Sequence, residues 1–324
     1  MHVERMARNA GLSVTESSTP PTVAVLMATY NGGDFLDEQI QSLEDQTHAS
    51  IDVHVSDDGS SDRTRAILEA WRARWNRGRF VVRSGPGGGF SENFRSLIVH
   101  ADVDADYFAF CDQDDIWEPG KLRRALETLG PPADAPRLFC SRTRIISESG
   151  RLLGLSPEFR RDPSFRNALV QSIAGGNTMV FNAAARHLLA TASARSAFVS
   201  HDWWAYMLVT GAGGQVFYSS EPLVRYRQHP NNLVGTTNSI RGQLDRLERL
   251  GRGVFAQWSD INIAGLEDNI HLLTPEARTV FGRFKEARNK GIAERLRGLR
   301  ASGVYRQTLL GNIALYVAAM FGRL

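Results

Sequence analysis

The first half of the chain alternates short apolar segments with segments of helical periodicity, and this alternation constrains the fold most. Residues 23–27 form an unbroken apolar run between Pro21 and Asn31, which is typical of a strand buried on both faces of a parallel sheet. Further strands are predicted at 51–55, 80–83 and 107–111, and helices at 35–43, 63–75 and 119–129. Strands and helices at this spacing predict an α/β fold with a mainly parallel central sheet flanked by helices.

Two of these helices carry start signals. Asp62 is a good N-cap for the helix at 63–75, and Pro119 suits the first position of the helix at 119–129. The second half is less regular, with short strand-like segments at 138–142, 178–181 and 215–218 that we expect to complete the sheet.

Beyond Ser239 the chain is predicted to be mostly helical, with Leu244, Leu247 and Leu250 on one stripe. The predicted domains are therefore a disordered leader at 1–20, one α/β domain at 21–238, and a C-terminal helical extension at 239–324. The α/β domain divides into halves at 21–130 and 131–238.

Composition excludes several classes of protein. The net charge of the 324 residues is only +3 and no helix-turn-helix, zinc-finger or RNP pattern occurs, so nucleic acid is not an expected partner. The two cysteines, Cys111 and Cys140, are too few for a disulfide framework and lack zinc-site spacing, which favours a reducing compartment. Residues 1–20 contain no apolar stretch of the secretory type. These features predict a cytoplasmic location.

An apolar run at 309–321 follows a basic stretch that includes Lys285, Lys290, Arg295, Arg297, Arg300 and Arg306. The run is shorter than the roughly 18 to 20 residues of a membrane-spanning helix. Two interpretations remain open. The tail can lie at the inner face of a membrane as a peripheral contact, or it can pack as a helical hairpin on the α/β domain or on the second subunit of a homodimer.

Polar clusters follow three of the predicted strands. They are Thr29-Tyr30-Asn31, Asp57-Asp58 and Asp112-Gln113-Asp114-Asp115. In open α/β sheets ligands bind beyond the carboxyl ends of the strands, so these clusters predict one site.

The acidic cluster suggests a metal site. Period-two geometry puts Asp112 and Asp114 on the same side of an extended strand end, where two carboxylates can hold Mg²⁺ or Mn²⁺. A solvated acidic turn is the alternative for an isolated Asp-x-Asp. A calcium loop of the EF-hand type is excluded, because Trp117 and Arg123 stand where it needs Gly and Glu.

The glycine-rich segment at 85–89 invites comparison with phosphate-binding loops. No Gly-Lys-Ser/Thr follows it, and Phe90 stands where a dinucleotide fingerprint would have its third glycine. A P-loop or an NAD site is therefore not expected.

Several motifs together resemble the family 2 glycosyltransferases of the GT-A fold. They are Ala28-Thr29-Tyr30-Asn31-Gly32, Gln46-Thr47, Ser56-Asp57-Asp58-Gly59-Ser60-Ser61-Asp62 and Phe110-Cys111-Asp112-Gln113-Asp114-Asp115-Ile116-Trp117. The resemblance covers roughly residues 22–235. It implies a GT-A domain whose first half binds a nucleoside-diphosphate sugar and whose second half binds the acceptor.

By the family pattern, Tyr30 and Asp58 hold the donor base, with Thr29, Asn31 and Asp112 in the same nucleotide site. Asp112 and Asp114 form the Asp-x-Asp metal signature, and Asp114 is the expected direct ligand. A carboxylate such as Asp58 can accept a hydrogen bond from N3–H of uracil or thymine, while Tyr30 offers a stacking face. Simple turn chemistry is the alternative for Asp57-Asp58-Gly59-Ser60.

The resemblance also places the segment Phe90-Ser91-Glu92-Asn93-Phe94 near the donor. Asn93 is accordingly expected to contact the donor or its base. A plain loop with Asn93 as a cap is the alternative.

In the second half, Asp202 is the predicted base, because inverting transfer needs one group to take the proton of the attacking hydroxyl. Asp202 can also be the N-cap of the helix that follows it. The adjoining Trp203 and Trp204 are expected to form an acceptor-sugar platform, with one of them in the core.

Arg225, Arg227 and His229 are expected to face the diphosphate, since arginine matches phosphate geometry and His229 can complete the metal shell. A structural histidine is the alternative for His229.

The segments at 226–235 and 89–94 most resemble bacterial rhamnosyltransferases of cell-surface polysaccharide synthesis. The implied reaction transfers L-rhamnose from dTDP-L-rhamnose to a hydroxyl of a glycan or lipid-linked acceptor. The Gln-x-x-Arg-Trp motif and membrane spans of processive synthases are not found. Two other classes stay open: a sugar nucleotidyltransferase of related fold and a non-catalytic carbohydrate-binding module.

Overall fold

The structure is a computed structural model that describes residues 20–100, 102–230 and 254–324. The predicted leader, apart from its last residue, lies outside the described residues. So do the stripe of Leu244, Leu247 and Leu250, the boundary at 238/239, and the end of the 226–235 segment.

The first half confirms the predicted alternation. Its strands are β1 (Val23–Thr29), β2 (Ile51–Asp57), β3 (Phe80–Ser84), β4 (Tyr107–Cys111) and the short β5 (Ile116–Trp117). Its helices are α1 (Leu36–Glu44), α2 (Thr64–Arg74), α3 (Phe90–Val99) and α4 (Lys121–Leu129). β3, β2, β1 and β4 lie side by side in that order, and all three of these pairings are parallel.

The second half adds strands to the same sheet. It contains β6 (Arg137–Ser147), β7 (Leu152–Leu155), α5 (Phe165–Ala168), β8 (Val180–Asn182), α6 (Ala183–Ser193), α7 (His201–Gly211) and β9 (Gln215–Gln228). Within the described residues the sheet has nine strands in the order β3-β2-β1-β4-β8-β6-β9-β5, with β7 paired to β6. β8 is antiparallel to both β4 and β6, whereas β6 and β9 run parallel. The sheet is therefore mixed, with its longest ladders parallel.

Three local predictions need correction. Phe90 opens helix α3, where sequence analysis considered a loop. α4 begins at Lys121, after Gly120, so Pro119 precedes the helix. α2 begins at Thr64, yet Asp62 still stabilises the helix start because its Oδ1 accepts from the backbone N–H of Thr64 at 3.0 Å.

The core lies on both faces of the sheet. Alternate residues of β1 point to opposite faces: Val23, Val25 and Met27 pack with α1, α2 and α4, and Ala24 and Leu26 pack with α3, α6 and α7. Burial on both faces explains why β1 is apolar throughout.

The described part of the C-terminal region is helical, as expected. It comprises α8 (Val254–Asp268), α9 (Pro275–Arg288), α10 (Ile292–Ser302) and α11 (Leu309–Met320). Its side chains, such as Leu266, Phe284 and Leu315, join the same core cluster as those of α7. Across the described ranges, none of the helices combines the length and apolarity needed to cross a bilayer.

Candidate functional site

The ends of β1 and β2 form the floor of the candidate site. Thr29 donates from Oγ1 to Oδ1 of Asp57 at 3.0 Å. Asn93 on α3 donates from Nδ2 to the carbonyl oxygens of Ser56 and Thr29 at 2.9 and 3.4 Å. Thr29 and Asn93 are 1% and 2% exposed, so both side chains support the strand ends. Direct contact of either with a donor nucleotide stays a prediction.

Asp57 anchors the turn that follows β2. Burial acts to raise its pKa, but hydrogen bonds from Ser60, Arg65 and Thr29 outweigh burial and leave the pKa below its ordinary value. The carboxylate is therefore held ionised, and it fixes the backbone from which Asp58 projects.

Asp58 binds the glycine-rich loop. Its Oδ1 accepts from the backbone N–H of Gly87 at 2.6 Å and its Oδ2 from Gly89 at 2.9 Å. Gly87 and Gly89 have φ of 74° and 85°, a region that favours glycine. Each carboxylate oxygen can accept more than one hydrogen bond, so Asp58 keeps capacity for a base N–H. Its predicted role is compatible with this geometry and stays a prediction.

Tyr30 and Asn31 form the rim above that floor. The Tyr30 side chain is 57% exposed, so its ring is accessible for stacking. Its backbone is held by Gln113, whose Oε1 accepts from Tyr30 N at 2.8 Å and whose Nε2 donates to Tyr30 O at 3.0 Å. Asn31, with φ of 47°, donates from its backbone N–H to Ser60 Oγ and accepts at Oδ1 from Ser61 N, both at 2.9 Å. The loops after β1, β2 and β4 are thus joined.

The acidic loop departs from the expected geometry. β4 ends at Cys111 and the chain bends at residues 113 and 114, so the argument from an extended strand was wrong. The charges of the neighbouring carboxylates nevertheless affect Asp112. Burial, and then the charges of Asp115, Asp114 and Asp202, raise the pKa of Asp112 well above its ordinary value. The charge of Asp202, in the second half of the domain, therefore acts on Asp112 in the first half.

Asp115 turns inward and connects three segments. It is 1% exposed, its Oδ2 accepts from Nδ2 of Asn177, and its Oδ1 accepts from the backbone N–H of Arg227 at 3.0 Å. Lys121, fully buried, donates from Nζ to Asn177 O at 2.7 Å and lies 3.0 Å from the centre of the Trp117 ring.

Asp115, Asn177 and Lys121 had no predicted role. The available signals were the second carboxylate of the Asp-Asp pair, the Gly-Gly-Asn-Thr segment, and a lysine at the first position of α4.

His229 lies beside Asp114 in the structure. Its Nε2 lies 2.9 Å from Asp114 Oδ2. The hydrogen bond with Asp114 raises the pKa of His229 above its ordinary value, with burial opposing it. The end of β9 is thereby fixed beside the acidic loop.

The two arginines beside His229 are engaged with protein groups. Arg227 is 2% exposed and donates to Asp114 O at 3.0 Å, to Glu148 O at 2.7 Å and to the Glu38 carboxylate. Arg225 pairs with Glu118 at 3.0 Å. The expected diphosphate contact of Arg227 needs correction, because its guanidinium is turned into the protein and holds the acidic loop.

The residues present fit a hard divalent cation. No group of three or more His, Cys, Asp or Glu side chains in ligand arrangement occurs among the residues that the structure describes. Asp114 and His229 are already paired at 2.9 Å, and burial, followed by the charges of neighbouring carboxylates, raises the pKa of Asp112 even though Lys121 opposes it. Carboxylate oxygens and one imidazole are suitable ligands for Mg²⁺ or Mn²⁺.

Asp202 lies in the first turn of α7. Ser200 is the N-cap of this helix, so the expectation of Asp202 at the N-cap is corrected by two positions. Its Oδ1 accepts from the backbone N–H of Trp203 at 2.7 Å. Burial raises the pKa of Asp202, against hydrogen bonds that include one from Ser200. A buried carboxylate of raised pKa is a better proton acceptor than an ordinary aspartate.

Trp203 and Trp204 belong to the core. They are 6% and 0% exposed, and their indole N–H groups donate to Ala168 O at 2.6 Å and Ser193 Oγ at 3.1 Å. A sugar platform needs an exposed ring face, so the expected platform is corrected for both residues. Helix α7 is largely apolar and is buried on nearly all sides, so the sequence does not show which of its side chains face solvent.

His201, beside Asp202, is a buried side chain to which sequence analysis gave no role. Its ring stacks on Phe94 at 3.7 Å between centroids and meets Phe110 edge-on at 4.6 Å. Neither ring nitrogen has a hydrogen-bond partner in the structure as described. Burial lowers the pKa of His201 to about 3, so the ring is neutral near pH 7.

Two solved glycosyltransferase structures are similar to this chain. S. aureus TarS 1–349 in complex with UDP-GlcNAc has a TM-score of 0.50 at 16% identity, with 93% of this chain and 90% of that chain covered. The mannosyltransferase PcManGT from Pyrobaculum calidifontis, in complex with GDP-Man and Mn²⁺, also has a TM-score of 0.50 at 16% identity, covering 94% and 88%. At this identity the likeness concerns the fold, a mixed and mostly parallel sheet flanked by helices of the GT-A type.

Relatives at the sequence level agree. The dTDP-rhamnosyl transferase RfbG of Shigella flexneri is 28% identical over 228 residues, which are 68% of this chain and 78% of that protein. The model of the family described as glycosyl transferase family 2 matches residues 24–188, just over half of the chain and most of the site described above. The chain therefore belongs to glycosyl transferase family 2 and has the GT-A fold.

Proposed function

We propose that this family 2 glycosyltransferase is an inverting, divalent-cation-dependent enzyme that transfers L-rhamnose from dTDP-L-rhamnose to a hydroxyl of a glycan or lipid-linked acceptor. The observation that carries the proposal is that the acidic loop after β4 combines a paired Asp114 and His229 with the influence of Asp202. Asp114 and His229 pair at 2.9 Å, and the charge of Asp202 acts on Asp112. A metal-binding group and a base are both needed for such a transfer.

The donor nucleotide is assigned to the loops after β1 and β2. Tyr30 offers an accessible ring, and Asp58 is held in place by Gly87 and Gly89. Such a carboxylate can accept the N3–H of thymine or uracil, which is consistent with a pyrimidine nucleotide.

The chemical step is assigned to Asp202. Its carboxylate takes the proton of the attacking acceptor hydroxyl while the bond between the sugar and the diphosphate breaks, and attack from the face opposite the leaving group inverts the anomeric centre. When bound, the divalent cation would neutralise charge on the leaving diphosphate. Asp112, Asp114 and His229 would hold it.

The donor sugar is inferred from sequence similarity. The relative RfbG carries the name dTDP-rhamnosyl transferase and matches two thirds of this chain. The thymidine nucleotide in that name agrees with the pyrimidine preference argued from Tyr30 and Asp58.

A donor screen tests the proposal. Thermal unfolding of the protein with Mn²⁺ would be followed in the presence of dTDP-rhamnose, UDP-GlcNAc or GDP-mannose, because a ligand that binds only the folded state raises Tm. We expect the largest rise with dTDP-rhamnose, and a matched rise in the control variant Asp134→Asn, whose side chain is exposed. The largest rise with GDP-mannose would contradict both the Asp58 role and the rhamnose assignment.

A further inference from the structure

Helix α11 presents an apolar surface to solvent. Its outward side chains recur at helical spacing, and none of them is charged. Several are strongly exposed, among them Leu309 at 77%, Leu310 at 78%, Ile313 at 52% and Phe321, just beyond the helix, at 75%. Tyr316, Val317 and Met320 continue the same stripe at 36%, 40% and 42%. A contiguous stripe of this kind differs from the scattered apolar residues of an ordinary surface and marks an interaction site. We call it the α11 face.

The helix itself is firmly placed. On its opposite side Leu315, Ala318 and Ala319 are buried in the core cluster shared with α7. Thr308 caps its start by accepting from Gly311 N at 3.0 Å, and Arg295 of α10 donates to Ala319 O at 2.8 Å near its end. The α11 face is therefore a fixed surface, and within the described ranges it has no covering element.

Basic residues flank the α11 face at both ends. Arg306 precedes the helix and Arg323 follows it, while Arg295 and Lys290 lie beside its C-terminal end, where Arg295 also donates to Lys290 O at 2.7 Å. From residue 275 to 324 the chain has ten Arg and Lys residues against three Glu and no Asp. The charge complement of such a surface is anionic.

We propose that the α11 face docks on an anionic lipid bilayer, with the helix lying in the plane of the interface and its exposed apolar side chains inserted shallowly. Apolar side chains between basic residues match the acyl boundary and the headgroups of such a bilayer. At about 1.5 Å per residue, a helix of twelve residues is far shorter than the roughly 30 Å hydrocarbon core, so insertion parallel to the surface is the geometry that fits.

A second copy of the chain fits the α11 face less well. A helix face of this length covers on the order of 200 Å², whereas a stable interface needs about 800 Å² from each partner. Pairing two such faces would also bring arginines of like charge together. The proposal does not depend on the donor or the metal, because no residue of the α11 face belongs to the candidate site.

Vesicle co-sedimentation of the full chain tests the proposal. We expect binding to vesicles that contain phosphatidylglycerol and weak binding to pure phosphatidylcholine, with the difference shrinking at high salt. The double variant Leu310→Gln, Phe321→Gln should weaken binding about tenfold or more, and Arg323→Gln about fivefold. Both positions of the double variant are exposed, so folding should be preserved, which circular dichroism would check.

The matched control is Leu152→Gln, Leu153→Gln, which removes two apolar side chains of β7 that are 60% and 48% exposed. It should bind vesicles like the wild type. If the α11 double variant did not fold, the single variant Ile313→Gln would replace it. The proposal is overturned if the wild type ignores anionic vesicles, if both double variants lose binding equally, or if the α11 variants abolish a dimer seen by analytical ultracentrifugation without any vesicle binding.

Discussion

At the scale of single residues, the four aspartates of the site differ in their surroundings: Asp112, Asp114 and Asp115 lie in the loop after β4, and Asp202 lies in the first turn of α7. Asp114 pairs with His229 at 2.9 Å, while burial raises the pKa values of Asp112, Asp115 and Asp202. Asp115 accepts hydrogen bonds from Asn177 and Arg227, and Asp202 lies in the second half of the domain. The same residue type thus has separate tasks because the surroundings of each carboxylate differ.

The substitution Asp202→Asn tests the base. Removal of a general base commonly lowers kcat by about 10² to 10⁴, and donor binding should be retained because Asp202 lies outside the nucleotide loops. The kcat of the wild type should rise with pH through a pKa above the roughly 3.9 of ordinary aspartate, since the base must be ionised. Release of the nucleoside diphosphate measures the rate, with Asp134→Asn as control. A near-normal kcat in Asp202→Asn would show that Asp202 is not the base and contributes only to the start of α7.

His201 should make the folded protein less stable at acidic pH. Its pKa in the folded protein is about 3, against about 6.5 for an unfolded chain, so on acidification the unfolded state takes up the proton first. Stability therefore falls as the pH drops from about 6.5 towards 3, by about 2 kcal/mol at pH 5 from this residue. The free energy of unfolding, measured in urea at pH 7.5 and pH 5, should fall by about 2 kcal/mol less in His201→Phe than in the wild type. Equal losses in both proteins would contradict a neutral buried ring.

Residue identities at the site were more predictable than residue surroundings. The motifs predicted roles for Asp114, His229 and Asp202, because metal binding and proton transfer require those side-chain types, and these roles stay predictions. They could not reveal that Arg227, Trp203 and Trp204 are buried, since burial depends on elements distant in sequence. Arg227 illustrates this, as its partners Glu38 and Glu148 belong to α1 and to the turn after β6.

At the scale of elements, the site is assembled by the ends of strands and the turns that follow them. Asp115 joins the loop after β4 to the end of β9 and to the turn before β8 through Arg227 and Asn177. Gln113 joins the same loop to the one after β1. These bonds place His229 beside Asp114, so the pairing of these two side chains depends on a buried residue that does not itself contact His229.

Asp115→Asn should weaken the contacts that join the loop after β4 to the end of β9 and to the turn before β8. An asparagine amide can accept at only one of its two terminal atoms, so one of the two buried donors loses its partner at a cost of about 1–3 kcal/mol. Urea unfolding measures the loss, and Asp45→Asn, at an exposed position, should change stability little. Cation-dependent donor binding should also weaken in Asp115→Asn. Unchanged stability and unchanged donor binding would show that Asp115 does not hold these segments together.

Element boundaries were least predictable where polar residues pair in the sheet. β6 and β9 extend to Ser147 and Gln228, well beyond the predicted 138–142 and 215–218. Their extra length comes from parallel pairing with each other, and charged residues such as Arg144 and Arg225 obscure it in the sequence. β1, in contrast, was predictable because burial on both faces leaves an unbroken apolar run.

At the scale of the whole molecule, the two halves of the α/β domain share one sheet, and the helical C-terminal region packs on the same core as α7. This arrangement brings Asp202 from the second half towards Asp112 and Asp114 of the first. The α/β class and the family were predictable from strand spacing and motifs. The acceptor half was not predictable in detail, because its contacts join segments far apart in the chain.

Isothermal titration calorimetry of dTDP-rhamnose tests the central claim most directly, since the account requires donor and cation to bind together at Asp114. We predict binding in the presence of Mn²⁺, a loss of most affinity in excess chelator or in Asp114→Asn, and retained binding in Asp202→Asn and in the control Asp134→Asn. Binding that is equally tight in chelator and in Asp114→Asn would contradict the account.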